Sequence, residues 1–281
     1  MARSGASGAK EEARRAASGA RSWIERAARF GYAAYGVVYV LVGVLSMRAA
    51  FGGGGKTAGQ EGALQTILLA PFGRVLLGLV AIGLLGYAAW RLFQGALDPD
   101  REGGGAKGIA KRADHVVNGL FHAALALSVG RVALGSGGGG GGGPDDWTAA
   151  LLQQPFGRLL VGAVGVVILA VGLFQFYRAH DAKFMEKLKP GEMSPRERTW
   201  TRRAGRLGHA ARGVVFLVIS AFLAQAALQS DPDEARGLGG ALSALAAQPF
   251  GPYLLGLVAL GLVAFGLFMF VVARYRRIQT S

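Results

Sequence analysis

Six polar residues stand where chemistry is costly to place. Tyr32, His115 and His209 each lie four residues before a glycine, and Tyr35, Asn118 and Arg212 each lie one residue before the same glycines, Gly36, Gly119 and Gly213. Residues three apart share one helix face, so each of three stretches offers a polar pair. Polar groups inside a membrane are expensive and often mark a functional site. Arranged around a common axis, the three pairs converge on a polar vestibule. The plainer reading is that Tyr, His and Arg near a helix end meet the interface or bond a neighbouring helix, and on residue type alone it weighs more.

Other chemistry finds little support. The chain has no cysteine, which removes disulfides, thiolate metal sites and cysteine nucleophiles. His115 and His122 share a helix face, but metal sites use three or four ligands, and Asp114 is the only acid beside them. No metal or cofactor is expected, and His180 falls in a basic loop. Serine elbows, His-Glu-x-x-His and paired intramembrane carboxylates are missing. No catalytic residue is assigned, and a non-enzyme is expected. The glycine runs Gly52–Gly55 and Gly137–Gly143 lack the Gly-Lys-Ser/Thr ending of a phosphate loop and read as spacers.

The elements that position these residues follow from composition. Of 281 residues, 52% are apolar and 17% charged, against about 25% charged in soluble domains; the mean hydropathy is +0.35. About 20 apolar residues cross a bilayer as a helix. Six stretches qualify, near residues 30–50, 72–93, 115–134, 156–177, 209–228 and 250–273. The first is too long for the core of a cleavable signal and reads as a retained helix. Six of the 31 Lys and Arg fall on one side (Arg48, Lys56, Arg74, Arg131, Arg158 and Arg236), leaving 25 on the other. By the positive-inside rule both termini are cytoplasmic, in the cell membrane. The basic segment holding Lys183, Lys187, Lys189, Arg196, Arg198, Arg202 and Arg203 is expected to face anionic lipid headgroups, not nucleic acid.

The six spans are one two-helix unit read three times. The anchor is Pro-Phe-Gly, at Pro71-Phe72-Gly73, Pro155-Phe156-Gly157 and Pro249-Phe250-Gly251. A glycine follows seven residues after each proline (Gly78, Gly162, Gly256) and an aromatic nineteen after (Trp90, Phe174, Phe268). Arg29, Arg112 and Arg206 each stand seven residues before Gly36, Gly119 and Gly213. The proline is expected in the first helical turn, where its missing N–H costs nothing, with the phenylalanine at the interface and the glycine making room for close packing. Each arginine is expected to snorkel to the interface. Leu64, Ile67 and Leu68, then Leu151 and Leu152, then Leu242 and Leu245 read as short helices leading into the second spans.

This triple pattern resembles the "domain of unknown function 1206" family of bacterial membrane proteins, whose unit is a transmembrane helix pair occurring three times. The resemblance covers about Trp23 to Arg277, though Ala106 stands where the other units carry Trp23 and Trp200. It implies an all-α polytopic protein and brings no established activity. The expected layout is a polar tail at 1–22, repeats at 23–98, 106–180 and 200–277, and a basic cytoplasmic linker at 181–199, with the repeats in a pseudo-threefold arrangement. The expected role is a non-enzymatic membrane component, favoured by the scarcity of membrane-embedded charge. The alternative is a transporter or channel for a small solute, with a polar vestibule between the repeats.

Overall fold

A computed structural model describes residues 3–51, 68–69, 72–98, 104–135 and 144–277, the side chains of 3–24, 107 and 144–147 excepted. It is a bundle of α-helices. Six are long and apolar enough to span a membrane: α1 (Arg3–Phe51), α2 (Gly73–Leu97), α3 (Ala106–Ala133), α5 (Gly157–Asp181), α6 (Pro195–Gln229) and α8 (Gly251–Tyr275). Two short helices, α4 (Pro144–Leu152) and α7 (Leu238–Ala246), lead into α5 and α8. Their counterpart in the first repeat, with Leu64 and Ile67, lies outside the described residues, as does Pro71.

In the second and third repeats the Pro-Phe-Gly motif is a turn, not a helical first turn. Phe72, Phe156 and Phe250 are helix N-caps in the left-handed region, at φ 59°, 61° and 61°. Pro155 and Pro249 therefore stand one residue outside the helix. The N–H of Gly157 bonds the Gln154 carbonyl at 2.9 Å and that of Gly251 bonds Gln248 at 2.7 Å. Proline second and a positive φ third is the arrangement of a type II turn. The glycine serves this turn rather than helix packing: a Cβ on Gly157 would lie 2.4 Å from the Leu152 oxygen, and one on Gly251 1.9 Å from that of Ala246. The phenylalanine rings are exposed, as lipid-facing interfacial aromatics are.

The tightest helix pairs join one repeat to the next. α2 packs on α3, α5 on α6, and α8 returns to α1. Glycines set these contacts: a Cβ on Gly36 would meet the Gly266 oxygen at 2.8 Å, one on Gly119 the Leu92 side chain at 2.8 Å, and one on Gly213 the Phe176 ring at 2.7 Å. Small residues at such positions let backbones approach. Gly78 meets nothing within 4 Å among the described residues and Gly162 only the Ala227 Cβ at 4.0 Å, while Gly256 is covered by Phe51. Within repeats, α1 packs on α2 and α6 on α8, but α3 and α5 barely touch. The spatial order is thus α3, α2, α1, α8, α6, α5: a pseudo-threefold ring with one edge open.

The three repeat arginines lock the ring at the end holding the α8 C-terminus, here the basic end. Instead of snorkelling, Arg29 donates to the Ala273 carbonyl at 2.6 Å and to that of Arg274. Arg112 donates to Gly95 and Ala96 at 2.9 and 3.1 Å, and Arg206 to His180 at 2.7 Å. Each caps the last carbonyls of a neighbouring repeat's second helix, Arg29 that of the third repeat and the other two that of the repeat before, and these carbonyls lack helical partners and carry partial negative charge. At the opposite end Arg158 caps α6 through the Ala227 and Leu228 carbonyls, both at 2.9 Å.

Candidate functional site

Two layers fill the ring. Towards the opposite end the core is apolar apart from the buried Ser46, with Val42, Leu77, Leu84, Val129, Leu255 and Leu262 fully buried. Towards the basic end lies a cavity of about 140 Å³, lined by Tyr32, His115, His209 and Arg212 among others. Four of the six sequence-predicted residues therefore share one cavity. Tyr35 is buried below it, donating to the Tyr39 hydroxyl at 3.3 Å and stacking on Tyr87 at 4.8 Å. Asn118 is not brought in: it turns back along its own helix to the Asp114 carbonyl and carboxylate at 2.8 and 3.1 Å. His122 donates to the Asn118 carbonyl at 2.6 Å and packs against Tyr35 and Tyr87.

The second helices supply partners that sequence reasoning missed. His115 Nδ1 lies 2.7 Å from Arg91 Nη1, and His209 Nδ1 lies 2.7 Å from Gln175 Oε1. Arg91 and Gln175 both stand twenty residues after the repeat proline, where the third repeat has Met269. Gln94 and Arg178 both stand twenty-three after it, where the third has Val272. Carrying the alignment of the second helices to these offsets would have found them. In the third repeat the pair is apolar, and Tyr32 instead accepts from Trp90 Nε1 at 3.1 Å.

The expectation of scarce embedded charge fails here. Arg91, Asp114 and Arg212 are each less than one-tenth exposed. Arg91 sits near the end of its helix, six residues before Leu97. Arg178 reaches across the open edge to Asp114 at 3.3 Å. Arg212 lies over the rings of Phe265 at 4.6 Å and Phe216 at 5.2 Å, a cation–π setting. Seven Lys and Arg line the cavity, against Asp181 alone among acids. A guanidinium keeps its charge in proteins, so this surplus asks for an anion.

The basic segment after α5 folds over the cavity. Lys183, Phe184, Lys187 and Leu188 line it, and Leu188 is buried. Lys189 N–H donates to the Tyr275 carbonyl at 2.9 Å and Arg277 N–H to that of Lys187 at 3.0 Å. Phe184 covers His209 at 5.3 Å and Phe268 at 4.9 Å between ring centres. Exposed Lys183 donates to Asp181 at 2.9 Å, and that hydrogen bond raises its ammonium above the ordinary value. Among the described residues, no group of three or more His, Asp or Glu is placed to hold a metal ion.

A family model described as "Domain of Unknown Function (DUF1206)" matches residues 30–98, 113–180 and 207–276. The "Uncharacterized protein YxxB" of Bacillus subtilis (strain 168) is 34% identical over 239 residues, covering 85% of this chain and 86% of that protein. No solved structure matches.

Proposed function

The chain belongs to the Domain of Unknown Function (DUF1206) family, and from that premise we propose a non-enzymatic membrane component that holds an anion in its vestibule without conducting it. One observation carries the reading: the cation-lined cavity ends on a buried apolar core. Conduction needs a path that a solute can leave as well as enter, and the packed axis offers none. The Lys and Arg excess supports a cytoplasmic basic end, with both termini on that side of the cell membrane. The basic segment faces anionic headgroups on that side.

A transporter reading draws on the open edge. The Asp114–Arg178 pair bridges α3 and α5, which otherwise pack sparsely, so parting it loosens one side of the ring to rock, as repeat-built transporters do. Proteoliposomes separate the two readings. Trapped labelled phosphate is expected to leak no faster than from protein-free vesicles, while added sulfate raises the melting temperature of the detergent-purified protein and Arg212→Gln removes that rise. Efflux that Arg212→Gln abolishes would establish transport.

A further inference from the structure

Three buried side chains in this layer have donor groups with nothing to receive them, and two of them, His115 and Arg212, line the cavity. The Arg91 guanidinium only donates, so His115 Nδ1 accepts from it at 2.7 Å and the imidazole proton sits on Nε2. That Nε2 has no hydrogen-bond partner among the described residues. Neither has the Gln175 amide nitrogen, whose oxygen faces His209, nor Arg212 Nε. All three residues are more than nine-tenths buried. Buried donors are nearly always satisfied, and the nearby carboxylates are engaged, Asp114 by Arg178 and Asp181 by Lys183. What fits is a ligand carrying several acceptor oxygens and negative charge, as a phosphate does.

The way in is lateral. The folded segment with Phe184 and Leu188 lies over the aqueous side. The α3–α5 edge is open towards the bilayer, bridged by Asp114–Arg178. His115 on α3 and Phe174 on α5 both line the cavity, so it reaches both helices flanking this edge. Those helices bury 22% of their spans, whereas the others bury 44–61%, leaving ample apolar surface for acyl chains.

Resting on the anion-binding reading above, we propose that the ligand is an anionic phospholipid, admitted between α3 and α5 with its phosphate on Arg212 and His115. The test is native mass spectrometry of the full-length protein with phosphatidylglycerol, phosphatidylcholine and glycerol phosphate. One phosphatidylglycerol is retained about tenfold better than phosphatidylcholine, and Arg212→Gln removes the preference, as expected for charge-assisted contacts. Arg212→Lys, which keeps the charge if the Gln variant fails to fold, retains part of it, and Arg236→Gln at the opposite end retains all. In parallel, tryptophan fluorescence of Phe174→Trp relative to the parent is quenched more by chain-brominated phosphatidylglycerol than by brominated phosphatidylcholine. Equal quenching by the two overturns lateral entry. Competition by glycerol phosphate at matching concentration makes the ligand a soluble phosphoester, overturning the lipid while the anion site stands. Retention of neither lipid nor glycerol phosphate, with no sulfate effect on melting, overturns both.

Discussion

Phe156 and Phe250 hold a left-handed backbone conformation that costs an ordinary side chain about 1–2 kcal/mol, and the glycine after each keeps the turn possible. A methyl group on Gly251 would collide with the Ala246 carbonyl, which is fixed backbone rather than a yielding side chain. Gly251→Ala is therefore expected to destabilise by about 2 kcal/mol, within the range for overpacking, read as a lower melting temperature in detergent. Gly78→Ala, at a position with nothing within 4 Å among the described residues, is expected to be silent in the same measurement. From sequence the motif was visible but its geometry was not. Proline suits both a helical first turn and the second position of a turn, and only the φ of the phenylalanine separates them.

At the scale of elements, each arginine of the repeat acts on a helix of a neighbouring repeat, Arg112 and Arg206 on the one before and Arg29 on the third. Arg112→Ala is expected to cost about 1–2 kcal/mol through loss of the capping bonds on α2, measured by thermal unfolding. Arg112→Lys should recover part of this, since a point charge still complements the helix end. The six spans were legible because about twenty apolar residues leave few alternatives, and the repeat was legible because its offsets recur. Which helices pair was not, since connections within a repeat hide the stronger contacts between repeats. The site was half legible for a related reason. His115 and His209 are alike in type, so alignment exposes them, whereas their partners Arg91 and Gln175 differ and the third repeat has Met269.

At the scale of the molecule, closure rests on α1 meeting α8. The exposed rings of Phe51 on α1 and Tyr253 on α8 meet at 6.3 Å between centres, so cysteines placed there lie within the span of a flexible, reducible thiol crosslinker. The chain has no native cysteine, so the double variant Phe51→Cys/Tyr253→Cys carries a single possible intramolecular bridge. The crosslinker is expected to give a faster-migrating band on a non-reducing gel, lost on reduction. A band unchanged by the crosslinker would count against the closed ring.

Closure between the first and last spans also bears on how the protein is made. Helices emerge from the ribosome in order, yet the tightest interface of α1, with Gly36 against Gly266 and Arg29 over the end of α8, forms only after α8 is synthesised. Until then α1 has α2 beside it while its glycine face waits in lipid. A nascent chain stopped before α8 thus presents an unmatched helix, a signal on which membrane quality control can act. Synthesis of the third repeat and closure of the ring become the same event.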